Sequence, residues 1–476
     1  MTSSQSSIDG ADRSVGAPAA GSLRELIRVA LPLVLSAGSH SLMSAADRII
    51  LAGYSADGLA AVTPASMLHW TVVCIPLGTI LYANTFIAQY DGAGLRDRML
   101  ASLWQALWLA VISGILLIIC VPYSHRLFAL TGQPAGVIDQ EAIYFNALCS
   151  GSVFVLLSMG LGCYFSGRQR TQVVMCVNML GVLINFGLDY VLVFGVGPFP
   201  EMGIRGAAVA TVLARVGESV IYLMLILRDG RQDSASASVW HFWRPQRDLL
   251  MQYLRYGVPS GLHYFVDNSG FTVFLMLVGN LGRDALAATN LAFSVNGLIF
   301  VPLLGFGTAI QTLVGHHLGA ENIRAAVRTT WTAAGLGIFW TGLAAVLLVL
   351  FPHVALQPFF LFAGTNPESG TPLNQLTPTI ILLLQFVAVY SVFDALAVVF
   401  SSALRGAGDT VFPMVLTMCS SWFVMVLPAW WLIRSGSATL TSIWMTCSLH
   451  ISIAGGCMLL RFLSGRWKRI RLVATS

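Results

Sequence analysis

The chain is short of charge. Only 10% of its 476 residues are Asp, Glu, Lys or Arg, against 56% hydrophobic residues and a mean hydropathy of +0.76. A soluble protein of this size could not hide that much apolar surface, which excludes a soluble globular enzyme or a nucleic-acid binder and leaves a polytopic helical membrane protein. Paired cysteines are missing too. Cys74, Cys120, Cys149, Cys163, Cys176, Cys419, Cys447 and Cys457 sit in or at the ends of apolar runs with no CxxC spacing, so buried free thiols are expected rather than disulfides or metal ligands. His316-His317 lacks an HExxH pattern, and no nucleophile–base arrangement stands out, so an enzyme is not expected. The first residues lack the basic–apolar–cleavage order of a signal peptide; residues 1–22 read as a disordered cytosolic tail.

Twelve apolar runs follow: 24–51, 59–90, 98–121, 139–166, 171–195, 204–228, 248–280, 285–318, 325–351, 376–404, 410–434 and 437–463. Each exceeds the roughly 20 residues a spanning helix needs. With the N-terminus inside, the cytosolic segments hold nineteen basic residues and the outer ones four, Arg126, Arg205, Arg283 and Arg434. By the positive-inside rule both termini are cytosolic.

The two halves repeat. Leu59-Ala60-Ala61, Pro76 and Gly92-Ala93 recur as Leu286-Ala287-Ala288, Pro302 and Gly319-Ala320, and Gly167 to Thr171 recurs as Gly406 to Thr410. Six runs separate the copies, so they share one orientation. The expected fold is all-α: two six-helix lobes related by an axis along the membrane normal, with a cleft between them suited to alternating access. The boundaries are an N-lobe at 23–228, a cytosolic linker at 229–247, a C-lobe at 248–464 and a basic cytosolic tail at 465–476.

The informative polar residues lie inside the runs. Asn185 and Asp189 are four apart in an otherwise apolar stretch from Leu183 to Gly195, and so share one helix face. A carboxylate there is costly unless it faces a cavity or a partner. Counted at 1.5 Å per residue, Asp47 lies roughly 8 Å, Asp189 roughly 9 Å and Thr211 roughly 10 Å from the outer ends of their runs. Asp47, Asn185, Asp189 and Thr211 therefore fall in one layer of oxygen donors, suited to Na⁺ or to a proton shared between close carboxylates. The C-lobe has Phe274 and Pro428 at the equivalent positions of its own first and fifth runs; its acids are Asp267, followed by Asn268, and Asp394, with Tyr390 one turn before it. Arg215 and Glu218 read as a local ion pair, and Arg48 as snorkelling to the outer surface. Trp70, Trp104, Trp422, Trp430 and Trp431 could line a cleft, although interfacial packing is the commoner use of such residues.

Taken in order, these pieces resemble the multidrug and toxic compound extrusion (MATE) family of cation-coupled antiporters. The resemblance rests on Pro32, Asp47 and Gly53; Asn185, Asp189 and Gly195; Gly203 to Thr211; Gly257-Val258-Pro259 before Asp267; Val314 to Gly319; and Asp394-Ala395 with Leu404-Arg405-Gly406. It implies twelve helices in a V of two lobes, a first-lobe cation site of Asp47, Asn185, Asp189 and Thr211, and a second-lobe site of Asp267, Tyr390 and Asp394. Asp267 sits where that site often has Glu. The resemblance further implies bending at Pro32, organic-cation substrates, and H⁺ or Na⁺ as coupling ion with no other cofactor. The expected setting is the lipid bilayer of a bacterial inner membrane, as a monomer without a nucleic-acid partner. The outer loop Ala363–Pro378 looks longer than the family's. Two other functions compete: a flippase for lipid-linked saccharides, which would need more basic residues in the cleft than Arg48 and Arg215 supply, and a receptor or scaffold, which gives no reason for acids at matched depth.

Overall fold

The computed structural model describes residues 19–130, 133–232, 239–363, 373–470 and 472. Most of the 1–22 tail, the middle of the 229–247 linker, residues 364–372 and most of the chain beyond 470 lie outside the described residues.

The N-lobe comprises α1 (Leu23–Ala52), α2 (Ala56–Leu81), α3 (Ala83–Gly92), α4 (Arg96–Leu117), α5 (Ser124–Ala129), α6 (Ala135–Gly167), α7 (Thr171–Phe194) and α8 (Ile204–Gln232). The C-lobe comprises α9 (Arg247–Gly279), α10 (Arg283–Gly319), α11 (Ile323–Leu350), α12 (Pro352–Ala363), α13 (Leu373–Ala407), α14 (Val411–Cys419), α15 (Leu427–Arg434) and α16 (Leu440–Leu463). α2 and α3 form one span, as do α4 and α5 through a 3₁₀ segment, and α14 and α15 through a wide π-helical turn at Ser420–Val426. The result is six spans in each lobe.

The helices begin and end on recognisable signals. Ser22 accepts a hydrogen bond from the Glu25 amide, Ser55 does so from Gly58, and Thr439 with Ser442 forms a capping box. Gly195, left-handed at φ 68°, ends α7. Among the described residues eleven helices are long and apolar enough to cross a membrane. α9 has the length but carries the exposed Arg255 and, on the face that forms a wall of the polar cleft, His263, Asp267 and Asn268.

Within the N-lobe α1 packs on α7, and α6 on α2, α4 and α8; within the C-lobe α13 packs on α10, α11 and α16. The lobes meet through α1 with α10, α2 with α9, and α3 with α10. A cluster of these joining contacts lies where α1 begins and α10 and α13 end. There Asn84 donates to Thr312 at 2.7 Å, Gln311 to Thr85 at 2.7 Å, Gln89 to the Gly406 carbonyl at 2.9 Å and Tyr82 to the Arg405 carbonyl at 3.1 Å. His316 lies 3.6 Å from Asp91 and His317 lies 3.4 Å from Glu25, each across the lobe boundary. The repeated glycines explain themselves here. A Cβ on Gly92 would stand 2.1 Å from the His316 carbonyl, and one on Gly319 2.0 Å from that of Gln89. The two copies of the motif face each other, and each needs a bare backbone for the seal to close.

Two expectations change. Pro378 lies inside α13, which starts at Leu373, and α12 occupies the stretch up to Ala363. The outer segment between them is therefore shorter than the expected 363–378 loop; helix-forming Leu and Gln on either side of Pro378 outweigh the proline. The cysteines are not all buried: Cys74, Cys149, Cys163 and Cys447 are, whereas Cys176 and Cys419 are exposed. An apolar run in a membrane protein has a lipid-facing side, where a thiol needs no core.

Candidate cation sites and central cavity

In the N-lobe four helices converge on one enclosed cluster. α1 brings Asp47, α7 brings Asn185 and Asp189, and α8 brings Thr211; the sequence had placed all four in one layer, and the structure brings them together. Asp189 and Asn185 are fully buried and Asp47 is nearly so. Asp47 Oδ2 accepts from the Tyr144 phenol of α6 at 2.9 Å and from the Thr211 hydroxyl at 3.4 Å, and the Asn185 amide donates to Thr211 at 3.3 Å. Asp47 and Asp189 share this cluster, close enough for each to feel the other's charge. Two carboxylates tolerate that approach only with a proton or a cation between them.

Four buried oxygens of this cluster accept no hydrogen bond among the described residues: Asp47 Oδ1, Asn185 Oδ1 and both of Asp189. Leaving so many acceptors unsatisfied in a buried site costs several kcal/mol. The set is all oxygen, with two carboxylates, an amide and hydroxyls. It fits a proton or a small hard cation such as Na⁺ and does not suit a soft metal.

The C-lobe residues behave differently. Asp267, Tyr390 and Asp394 come together, but on the wall of a central cavity of about 630 Å³ that both lobes line. Asp267 and Asp394 are close enough to feel each other's charge, and the Tyr390 hydroxyl has no hydrogen-bond partner among the described residues. His263, Asn268, Asn296 and His450 line the same space. Of Trp70, Trp104, Trp422, Trp430 and Trp431, Trp70 alone lines this cavity; Trp104 packs instead against Trp240 with the rings tilted and their centroids 5.2 Å apart. Pro32 is buried in α1, next to the stretch where α1 crosses α10. Arg48 is exposed, as its expected snorkelling requires.

Several functional candidates are not visible in the sequence alone. Tyr144 carries no signal in an apolar run. Glu141, one turn before it, is fully buried with neither carboxyl oxygen hydrogen-bonded among the described residues; the rule for intramembrane acids could have found it. Outside the spans, Tyr54 donates to Glu201 at 2.8 Å and ties the α1–α2 turn to the α7–α8 turn. The carboxylate holds the Tyr54 hydroxyl above its ordinary pKa.

The sequence profile of the MatE family matches residues 32–191 and 259–431, one block in each lobe. The chain belongs to the MatE family. Among curated relatives of this MatE chain, "Probable multidrug resistance protein NorM" of Thermotoga maritima is 29% identical over 451 residues, covering 94% of this chain and 93% of that protein. The protein of the same name from Bradyrhizobium diazoefficiens is 26% identical over 438 residues, covering 92% of each. Among solved structures, one described as the outward-facing conformation of a multidrug resistance MATE family transporter superposes with a TM-score of 0.82 at 20% identity, covering 94% of this chain and 97% of that one. A structure described as a MOP superfamily transporter from Pyrococcus furiosus gives 0.83, also at 20% identity. These likenesses carry the fold of the MatE chain: twelve helices in two lobes about a cleft.

Proposed function

We propose that this MatE chain is a secondary antiporter of a bacterial inner membrane, exporting small organic molecules of cationic or amphipathic character in exchange for H⁺ or Na⁺. The observation that carries the reading is the pairing of a two-lobed cavity, sealed at one end, with acids inside the spans of each lobe: Asp47 and Asp189 buried in one, Asp267 and Asp394 on the cavity wall in the other. The NorM relatives' description as probable multidrug resistance proteins supports a drug-like cargo. The positive-inside bias supports cytosolic termini, so the seal lies on the cytosolic side and the structure corresponds to an outward-open state.

Asp47, Asn185, Asp189 and Thr211 take the coupling cation from the outside, with Tyr144 holding Asp47. Asp267, Tyr390 and Asp394 form the acidic wall that meets a cationic substrate or a second coupling ion. Pro32, which removes one backbone hydrogen bond from α1, lets that helix bend as the site fills. Coupling requires cation and substrate to favour different states, since a ligand shifts an equilibrium only by its differential affinity. Loading the acids removes the charge that holds an organic cation and favours closure of the outer cleft. No cofactor beyond the coupling ion is required, and a monomer suffices because both walls of the cavity come from one chain.

Expression in cells stripped of their own efflux pumps tests this. Accumulation of a fluorescent organic cation should fall, and an uncoupler or removal of Na⁺ should restore it. Unchanged accumulation across a panel of such dyes, with the protein present in the membrane, would count against export.

A further inference from the structure

Inward of the carboxyl pair the N-lobe buries a second set of charges. On α8, Arg215 lies one turn and Glu218 two turns beyond Thr211. Arg215 Nη1 donates to Glu218 Oε1 at 3.1 Å and Oε2 at 2.9 Å, while its Nη2 points to the Met43 sulfur of α1 at 3.5 Å. The Ser158 hydroxyl of α6 donates to Glu218 Oε2 at 2.5 Å. Gly181 of α7 makes the room, since a Cβ there would stand 2.0 Å from Glu218 Oε1. Both side chains are nearly inaccessible, at 7% for Arg215 and 1% for Glu218.

The placement is tied to the carboxyl site helix by helix. Met43 is one turn before Asp47, Gly181 one turn before Asn185, and Arg215 one turn beyond Thr211. On the far side Ser158 lines the central cavity, together with Tyr222, Asn178 and Ser36, which form a chain of hydrogen bonds at 2.9 Å and 2.6 Å. The ion pair therefore lies between the candidate cation site and the cavity wall. A buried ion pair is a poor way to stabilise a helix bundle, because apolar residues of the same volume do as well or better. A positive charge next to a site that must gain and lose one positive charge has another use.

We propose that Arg215 is the internal counter-cation of the Asp47–Asp189 pair, held off it by Glu218 while a proton or Na⁺ occupies the pair and turned toward it when that cation leaves. Glu218 is then a positioning residue: it sets how strongly Arg215 competes with the coupling cation. The exchange also leaves Glu218 to Ser158 alone, so the state of the acids reaches the cavity wall. The other charges at this end of the lobe do not substitute. Glu141 is an acid, and Arg48 is exposed. The inference rests on the reading of the acids as a cation site.

The test uses the purified full-length protein in lipid nanodiscs, with ²²Na⁺ binding and the infrared band of protonated carboxyls at fixed pH as readouts. In Glu218→Gln the guanidinium, no longer paired with the Glu218 carboxylate, competes with the cation, and binding should weaken roughly tenfold or more. In the double variant Arg215→Gln/Glu218→Gln the competitor is gone, and binding should return to within about threefold of wild type. Wild-type binding in Glu218→Gln, or a double variant as weak as the single one, would overturn the proposal. If Glu218→Gln does not fold, Arg215→Gln alone decides: binding should strengthen, and weaker binding contradicts the exchange. A wild type that takes up neither cation, with its acids intact, overturns the cation-site reading itself and this inference with it.

Discussion

Asp189 of α7 faces Asp47 of α1 inside the N-lobe, and neither Asp189 oxygen accepts a hydrogen bond among the described residues, while Asp47 Oδ2 accepts two. The two acids are thus unequal. Asp47 is anchored to α6 and α8, and Asp189 is the member with all its acceptor capacity unspent. The proposed coupling cycle turns on that asymmetry.

The first prediction concerns which acid matters most. Asp189→Asn should lower efflux by roughly tenfold or more, because the cation loses the carboxylate with the most acceptor capacity. Asp267→Asn and Asp394→Asn should cost less, since they stand on the wall of the open central cavity rather than in an enclosed oxygen cluster. Dye efflux from cells expressing equal amounts of each variant measures the order. Wild-type efflux in Asp189→Asn with none in Asp394→Asn would reverse it.

Tyr144→Phe removes the phenol that holds Asp47 while keeping the ring that packs in the lobe. A hydrogen bond to a charged group contributes about 1.5–3 kcal/mol. The cation concentration for half-maximal transport should therefore shift by about tenfold or more, with little change in thermal stability. An equal loss of stability and coupling would make Tyr144 a packing residue only.

The seal makes a third prediction. Gly92→Val places a side chain against the backbone of α10, and overpacking of that kind costs typically 1–3 kcal/mol. That cost falls on the sealed state. Spin labels at the cytosolic ends of α3 and α10 should report a longer distance in the variant, and dye binding from the outer side should weaken. An unchanged distance distribution would mean the seal can absorb the side chain without parting the lobes.

Topology is tested by reporter fusions. Fusions at the C-terminus should be active in the cytosol and silent in the periplasm, as the loop charges require. The opposite pattern would invert the whole cycle.

Much of this architecture is legible in the residues. Apolar runs beyond about 20 residues mark spans without any knowledge of packing, and the paired Gly92-Ala93 and Gly319-Ala320 motifs mark the repeat. Asp47, Asn185, Asp189 and Thr211 stood out because a polar atom in lipid is so costly that its position is rarely incidental. What stayed hidden depends on packing between helices distant in sequence. Tyr144 reaches Asp47 across 97 positions, and Gln89 reaches the Gly406 carbonyl across 317. Nothing in an isolated apolar run says that its tyrosine faces a carboxylate rather than lipid. α9 shows the converse: its polar residues make it a weak span by hydropathy, yet His263, Asp267 and Asn268 among them line the cleft.

The central claim is that export is driven by a cation bound at Asp47 and Asp189. The most direct measurement is transport of a fluorescent organic cation in proteoliposomes, with H⁺ and Na⁺ gradients imposed separately at zero membrane potential. One of the two gradients should drive substrate movement against the cation flow in the wild type, and neither should do so in Asp47→Asn or Asp189→Asn. Transport that proceeds equally with no gradient, or that persists in the Asp189→Asn protein under the driving gradient, would contradict the account.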